Sequence, residues 1–380
     1  MLTILTIDWI KIKIFQKNRM IAFKIVVSEG DGTLSLSTAS FSLIYNRLRP
    51  VNVLQKETLI MPSTLQQESA PQKLIHSISR SVVGKPQAIE LVVTAFLAGS
   101  HVLLEDVPGT GKTLLAKSLA SSFDGTFKRI QFTSDIMPSD ITGNSIFNMK
   151  TGEFEFIPGP IFSNIVLADE VNRATPRSQS SLLEVMEENQ VTVDGVTHTL
   201  ERPFFVIATQ NPLESYGTFP LPESQLDRFM LSFSMGYPNF AEETRILRLH
   251  RENTQKTQST SLHQQLQTVV NVEDIRQAQK SVAQVELSDE VERLLLQIIH
   301  QTREDQRIAL GASTRSAVSF LRALQAYAYL QGRNYVIPDD IKYLAPFVLG
   351  HRISLRQNLK RPEKMALISE LVADVFKKSA

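Results

Sequence analysis

The residues best suited to chemistry are Gly109-Thr110-Gly111-Lys112-Thr113, which shortly follow the apolar run at 101–105. Glycines let a backbone approach a ligand closely, and the N–H groups that open a helix bind phosphate. We predict that Lys112 reaches the terminal phosphates of a nucleotide and that the Thr113 hydroxyl binds Mg²⁺. The predicted phosphate-binding residues are Gly109, Thr110, Gly111, Lys112, Thr113 and Leu114.

Asp106 departs from the usual phosphate-loop pattern. That pattern, G-x-x-x-x-G-K-[ST], begins with glycine, whereas this chain has Asp106 at the first position. Because Asp106 precedes the residues that must approach phosphate, we expect the loop still to bind a nucleotide. A glycine-rich turn between a strand and a helix, without a ligand, is the alternative.

Paired carboxylates form a second chemical element. Asp169 and Glu170 end the apolar run at 164–169, far along the chain from Lys112. Asp169 could hold a water bound to Mg²⁺, and Glu170 could orient and polarise the water that attacks the γ-phosphate. Paired acids at a helix N-terminus are the structural alternative.

The elements that would position these residues follow an α/β pattern. Five short apolar runs alternate with helical segments, which predicts a three-layer αβα sandwich around a mainly parallel, five-stranded sheet. After Pro238 the periodicity becomes that of helices, which predicts an all-helical domain. The predicted strands lie at 101–105, 127–132, 164–169, 204–210 and 230–235. The predicted divisions are an αβα core at 63–238, connecting helices and a linker at 239–284, with a loop at 252–261, and a helical domain at 285–380.

Composition excludes several classes of protein. The chain has 380 residues and no cysteine, so disulfides and thiolate metal sites are excluded, and we expect a cytoplasmic location. Residues 1–60 hold eight Lys/Arg and four Asp/Glu, which leaves 32 and 35 in the rest of the chain. Nucleic-acid binding is disfavoured because the phosphate backbone requires a basic face.

The first 62 residues form a predicted N-terminal extension. They contain no run of ~18–20 apolar residues, as a membrane span requires, and their charges do not follow the order of a secretory signal. We expect this segment to lie outside the fold or to reflect a misassigned start, because a polar stretch typical of a protein start follows Met61. A small β-rich appendage is the alternative.

Two hairpins are also predicted. The segment 143–156 has Lys-Thr-Gly between alternating runs, and the segment 190–200 centres on Asp194-Gly195, a strong hairpin signal. Either could be an ordinary surface hairpin.

Taken together, six segments resemble the MoxR family of AAA+ ATPases, relatives of the magnesium-chelatase motor subunit. The resemblance covers residues 70–375, and the family commonly departs from the first loop glycine in this way. The segments are VPGTGKT, LADEVNRATPRSQSSLLEVMEE, FFVIATQNPLE, FPLPESQLDRFM, LGASTRSAVSFLRA and YVIPDDIKYLAPFVLGHRI.

The resemblance implies roles for further residues. Asn211 matches sensor 1, an amide that holds the attacking water. Arg228 matches the arginine finger, which neutralises transition-state charge from a neighbouring subunit. Arg315 matches sensor 2, which links the helical lid to the γ-phosphate. Val83 and Gly84 match the segment near adenine, and Arg173 could be a second intersubunit arginine. Taken singly, an arginine is more often a surface charge.

The expected activity is Mg²⁺-dependent ATP hydrolysis that remodels or assembles protein partners. The resemblance implies a homo-oligomeric ring, expected to be a hexamer, a protein client and a von Willebrand factor A-domain partner. The two hairpins match positions that face a ring's pore or a client. A nucleotide-controlled scaffold with negligible turnover and a nucleic-acid motor are the other hypotheses.

Overall fold

The structure, a computed structural model, describes residues 13–16, 19–22, 69–211, 217–255, 268–357 and 359–379. The chain divides into two compact units, Met1–Leu65 and Gln66–Ala380. In the first unit, β1 (Lys13–Gln16) and β2 (Arg19–Ala22) pair as antiparallel strands. The rest of the predicted extension lies outside the described residues, as does part of the predicted loop, residues 256–261.

The second unit begins with the elements of an α/β core. Its helices up to residue 233 are α1 (Ala70–Ser81), α2 (Pro86–Leu97), α3 (Lys112–Ser122), α4 (Pro138–Thr142), α5 (Pro176–Glu188) and α6 (Glu223–Leu226). Its strands are β3 (His101–Glu105), β4 (Phe127–Gln131), β5 (Gly143–Asn148), β6 (Glu153–Pro158), β7 (Ile165–Asp169), β8 (Gln190–Val193), β9 (Val196–Thr199), β10 (Phe205–Gln210) and β11 (Phe229–Phe233).

Five of these strands form one parallel sheet in the order β11-β3-β10-β7-β4. All five predicted strands are therefore confirmed. Because the strands are parallel, their carboxyl ends share one edge of the sheet and their amino ends share the opposite edge. Residues that follow a strand and residues that precede one are thus held apart by the strand's length.

The sheet is covered on both faces, which confirms the three-layer architecture. Val102 and Leu104 of β3 pack into a core with α1, α2 and α3, whereas Leu103 points to the other core with α4 and α5. Side chains of a strand alternate between faces, so β3 supplies both cores from consecutive residues. Its apolar sequence reflects this burial on two sides.

Both predicted hairpins are present. Strands β5 and β6 pair from Gly143↔Pro158 to Asn148↔Glu153, and β8 pairs with β9 around Asp194 and Gly195. Asp194 and Gly195 have φ angles of 51° and 79°, the left-handed pair that a type I′ turn requires.

The remainder of the unit is mainly helical and packs on the sheet's edge strand. Its helices are α7 (Phe240–Gln255), α8 (Val272–Val282), α9 (Asp289–Glu304), α10 (Thr314–Leu330), α11 (Pro338–Leu349) and α12 (Arg361–Ser379). The predicted helical domain is confirmed, and it also contains one short antiparallel pair of strands, β12 (Ile308–Leu310) and β13 (Ser354–Leu355). Helix α7 also continues through 252–255, where a loop was expected, because no glycine or proline interrupts it.

Helix starts in this region follow their sequence signals. Ser288 caps α9 by accepting a hydrogen bond from the N–H of Val291, and Ser313 caps α10 by accepting one from Ser316. Asp340 lies in the first turn of α11, where its charge suits the helix dipole. The predicted boundaries at 238/239 and 284/285 stay predictions. In the described part of the chain no helix combines the length and apolar character of a membrane span.

Candidate functional site

The predicted phosphate loop joins the end of β3 to the start of α3. Gly109 and Gly111 have φ angles of 85° and 94°, which side chains rarely adopt. A Cβ on Gly109 would meet no heavy atom within 4 Å, so the loop faces open space there. The first N–H groups of α3, from Lys112 onward, have no partner within the helix. The loop therefore fits a phosphate in shape and in donors.

Lys112 holds its ammonium group against the loop itself. Its Nζ donates to the carbonyl oxygens of Val107 at 2.9 Å and Asp106 at 3.4 Å. The side chain is almost entirely buried, with 9% of the residue exposed. The cation is thus placed beside the space that phosphate oxygens would occupy.

Asp169 and Glu170 lie at the same edge of the sheet as the phosphate loop. Asp169 ends β7, which is two strands from β3, a separation of about 10 Å at ordinary strand spacing. Its Oδ1 accepts a hydrogen bond of 2.6 Å from the Thr209 hydroxyl, and its Oδ2 accepts one of 2.5 Å from Arg129. The Thr113 hydroxyl and the Asp169 carboxylate are the hard oxygen ligands that Mg²⁺ prefers. The described residues contain no cluster of three histidine, cysteine or acidic residues that could hold a metal ion.

Glu170 is held by polar neighbours on three sides. Gln131 of β4 donates to Glu170 Oε2 at 2.8 Å, and Arg173 Nε lies 3.1 Å from the same oxygen. The Glu170 N–H donates to the Thr209 hydroxyl at 2.8 Å. The φ angle of Glu170 is 59°, a left-handed conformation that is uncommon for this residue type and is often found at functional sites. Arg173 here contacts its own chain's Glu170, and its intersubunit role stays a prediction.

Two further predicted residues adjoin this edge. Asn211 directly follows β10, between β3 and β7, and is 6% exposed. Gly84 lies between α1 and α2 after the buried Val83, has a φ angle of 75°, and packs so closely against the Glu242 side chain of α7 that a Cβ would displace that side chain. The adenine and sensor 1 roles stay predictions.

Arg228 and Arg315 lie at the opposite edge of the sheet. Arg228 directly precedes β11, and Arg315 is in the first turn of α10. Both bind Glu187, near the end of α5: Arg228 NH2 is 3.2 Å from Oε2, and Arg315 NH2 is 2.6 Å from Oε1. Arg315 therefore lies beside Arg228 and not beside its own phosphate loop.

The two arginines line a basic cavity of about 680 Å³, which also contains Arg202 and Arg322. Its lining thus includes four arginines and two acidic residues, Glu187 and Asp227. Within the described part of the chain, the buried Nε of Arg228 has no hydrogen-bond acceptor. Such a cavity suits a polyanion, because buried donors gain most from charged oxygens.

Asp227 and Arg352 fix this edge to the helical region. Arg352 is fully buried between α11 and β11, and its Nε donates to Asp227 Oδ1 at 2.7 Å. Burial lowers the pKa of Arg352 to about 10, so the guanidinium stays charged at neutral pH. Asp227 also accepts hydrogen bonds of 3.1 Å from Ser313 and Ser316 at the start of α10. One carboxylate thus places both Arg228, its chain neighbour, and the helix that carries Arg315.

His101 lies at the same edge of the sheet, and its buried imidazole ring is uncharged at neutral pH. Its Nε2 lies 3.1 Å from the Met186 carbonyl, and its Nδ1 accepts a hydrogen bond of 3.0 Å from the Val206 N–H. Complete burial lowers its pKa to about 4. The ring therefore stays uncharged above that pH and joins β3, β10 and α5.

Sequence reasoning missed several members of the site. Thr209 and Gln131 are polar residues near the carboxyl ends of apolar strands, a signal that could have identified them. Glu187 gave no such signal, because it is one of several glutamates on an exposed helix face. Glu187 can pair with Arg315 only because α10 packs against the core.

Comparisons with known proteins agree with the geometry. Residues 101–231 match the ATPase family associated with various cellular activities (AAA), and residues 300–371 match the AAA lid domain. The crystal structure of a "putative ATPase" from Cytophaga hutchinsonii has a TM-score of 0.71 and 36% identity, covering 79% of this chain and 94% of that one.

Two curated relatives are similar to most of the chain. The YeaC protein of Bacillus subtilis (strain 168) is 48% identical over 305 residues, which is 80% of this chain and 93% of the relative. The chaperone MoxR1 of Mycobacterium tuberculosis is 36% identical over 293 residues, or 75% of each chain. The chain therefore belongs to the MoxR family of AAA+ ATPases.

Proposed function

We propose that this chain hydrolyses ATP with Mg²⁺ and that its catalytic site is completed between two subunits of a ring. The observation that carries the proposal is the separation of Lys112 and Glu170, at one edge of the sheet, from Arg228 at the other. A strand of five residues spans about 13 Å, so Arg228 cannot contact phosphates held by its own Lys112. A neighbouring subunit has to supply that arginine.

Each residue then has a distinct task in the reaction. Thr113 and Asp169 would hold Mg²⁺, which when bound would neutralise charge on the phosphates of the nucleotide. Glu170 orients the attacking water and accepts its proton, while the Asn211 amide holds the same water. Arg228 neutralises the charge that develops on the transferred phosphoryl group.

Arg315 belongs to the same intersubunit arrangement. Because it shares Glu187 with Arg228, the γ-phosphate that it contacts is the neighbour's. In a ring, the basic cavity of one subunit would face the phosphate-loop edge of the next. We expect a hexamer, as the family resemblance implies.

Mixing two inactive variants tests this arrangement. Arg228→Ala should bind ATP normally and lose most of its turnover, since a finger contributes about 10³–10⁵ in rate in other phosphoryl-transfer enzymes. Glu170→Gln should be equally inactive for a reason inside its own site. Mixed rings contain interfaces where an intact Glu170 meets an intact Arg228, so hydrolysis should return once labelled subunits are seen to exchange. Unaltered turnover in Arg228→Ala would disprove the assignment.

Hairpin β5–β6 is the proposed contact for a protein client. Phe147 and Phe154 pack edge to face with ring centroids 5.4 Å apart, and 74% of Phe154 and 92% of Met149 remain exposed. Exposed apolar clusters of this kind mark protein-binding surfaces. A Glu170→Gln trap should lose its captured clients on the further change Phe154→Ser, and should keep them on Leu296→Ser, which changes an exposed apolar residue of α9.

The remaining proposals concern partners and location. We expect a von Willebrand factor A-domain protein to co-purify with the chain, and we expect a cytoplasmic location. Steady-state hydrolysis with and without DNA separates the alternatives. Stimulation by DNA would support a nucleic-acid motor, and tight ATP binding with negligible turnover would support a scaffold.

A further inference from the structure

Asp106 has contacts on two sides of the phosphate loop. Its carboxylate is buried, with 4% of the residue exposed. Its N–H donates to the Gln210 carbonyl at 3.1 Å, which extends the pairing of β3 with β10 to the residue before Asn211. The carbonyl oxygen of Asp106 accepts a hydrogen bond from the Lys112 ammonium group. The backbone of Asp106 thus belongs to the nucleotide site.

The side chain of Asp106 binds a different segment, residues 234–239, which we call the connector because it joins β11 to α7. Asp106 Oδ1 accepts hydrogen bonds from the Ser234 hydroxyl at 2.7 Å and the Gly236 N–H at 3.1 Å. Oδ2 accepts one from the Met235 N–H at 2.6 Å. Hydrogen bonds to an ionised carboxylate are about twice as strong as neutral ones. Glycine at position 106 would provide none of them.

The connector also lies close to the phosphate loop at a second place, which does not involve Asp106. The Met235 methyl group lies 4.0 Å from the position that a Cβ on Gly111 would take. At the end of the connector, Asn239 and Glu242 of α7 cap the start of that helix reciprocally, and the Glu242 side chain packs on Gly84. The connector therefore lies between the phosphate loop, the predicted adenine segment and the helices that follow.

We propose that Asp106 is a positioning residue that couples the phosphate loop to the connector and, through it, to α7. When Lys112 turns from the Asp106 and Val107 carbonyls to a bound phosphate, the peptide that carries Asp106 loses a contact and shifts. Its carboxylate transmits that shift to the Met235 and Gly236 N–H groups. This inference rests on the proposed function, because it requires a nucleotide at Lys112.

Hydrogen exchange measured by mass spectrometry on the full chain, with and without Mg·ADP, tests the coupling. In the wild type, ADP should slow exchange both in the loop, residues 107–114, and in residues 234–250. Asp106→Asn keeps the size of the side chain and removes its charge. It should keep the response of the loop and lose the response of the connector. Calorimetry should place its ADP affinity, and that of Asp106→Gly, within about tenfold of the wild type, or ~1.4 kcal/mol.

Asp340→Asn is the matched control. Asp340 is also a buried carboxylate that accepts a backbone N–H, from Ile337, but its ion pair is with Arg333 in the helical region. A general loss of stability would affect both variants, whereas only Asp106→Asn should change the response of the connector. Ser234→Ala removes one of three partners and should weaken that response, which provides a test even if Asp106→Asn does not fold.

The outcomes separate the two proposals. A wild-type chain that binds no nucleotide overturns the proposed function and this inference together. Normal ADP binding with an unchanged connector response in the folded Asp106 or Ser234 variants overturns this inference alone. An equal loss of response in Asp340→Asn also overturns it.

Discussion

Replacing Arg352 with leucine should destabilise the protein and separate nucleotide binding from turnover. The guanidinium of Arg352 donates hydrogen bonds of 2.6–3.3 Å to Asp227 and to the carbonyl oxygens of Phe229, Met230 and Val348. Only 1% of the side chain is exposed, so water cannot replace these bonds. Removing one partner of a buried ion pair costs about 3–5 kcal/mol, because the remaining charge stays buried and unpaired.

Differential scanning calorimetry measures the change in Tm, with Arg307→Ala as the control variant. Unfolding of a unit as large as Gln66–Ala380 has an entropy of roughly 0.65 kcal/mol/K, so this loss lowers Tm by about 5–8 °C. Arg307 pairs with Asp305 and Glu370, but 45% of its side chain is exposed. An exposed pair contributes under about 1 kcal/mol, so the control should melt within about 2 °C of the wild type.

The functional part of the prediction follows from the position of Arg228 next to Asp227. Without Arg352 the Asp227 carboxylate loses its anchor, and both Arg228 and the start of α10 move. ADP affinity should change little, because Lys112 lies at the other edge, while ATP turnover should fall. Equal melting temperatures for Arg352→Leu and Arg307→Ala would refute the energetic argument. A parallel loss of affinity and turnover would refute the separation of the two edges.

Four further predictions concern individual residues. Lys112→Ala should abolish ADP binding in calorimetry, because this ammonium lies against the loop, and retained micromolar affinity would contradict the loop assignment. Thr209→Val leaves the Glu170 N–H without its acceptor and should cost about 1–3 kcal/mol in urea unfolding, whereas exposed Thr192→Val should change stability by less than about 0.5 kcal/mol. The pKa of His101 is lowered to about 4 in the fold, so the unfolded chain binds more protons below pH 6.5 and stability is lost as the pH falls. The loss should reach about 3 kcal/mol near pH 4 and should be smaller in His101→Gln. A chain that starts at Met61 should melt cooperatively and hydrolyse ATP like the full chain, and its failure to fold would show that the extension supplies core.

The carboxyl edge of the sheet could be predicted from sequence because local signals determine it. Apolar runs identified all five strands, and each chemical residue of this edge lies within a few positions of a strand end. Lys112, Asp169 and Asn211 could therefore be placed together before any side chain was seen. The contacts of Thr209 and Gln131 could not, because they depend on which strand lies beside which, and the order β11-β3-β10-β7-β4 is not a local property.

The edge of the sheet at which Arg228 lies could also be predicted from the sequence, whereas the edge at which Arg315 lies could not. Arg228 directly precedes an apolar run, so a parallel sheet places it at the amino edge. Arg315 belongs to a helix whose position is determined by Ser313 and Ser316, bound to Asp227 from almost ninety positions away. The sequence motif identifies Arg315, but it does not show at which edge of the sheet the packing of α10 places this residue.

The dependence of Arg315 on α10 has a consequence for how the protein is controlled. In the proposed ring the two arginines would act on a neighbour's nucleotide, and their placement depends on the packing of the helical region through Asp227. The phosphate loop depends on β3 and α3, and it reaches the helical region through Asp106 and the connector. A change in nucleotide at one edge could therefore alter the arginines at the other edge by moving these helices. In the proposed ring that movement would reach the next site, so the placement of two sets of residues at opposite ends of one parallel sheet would couple neighbouring subunits in sequence.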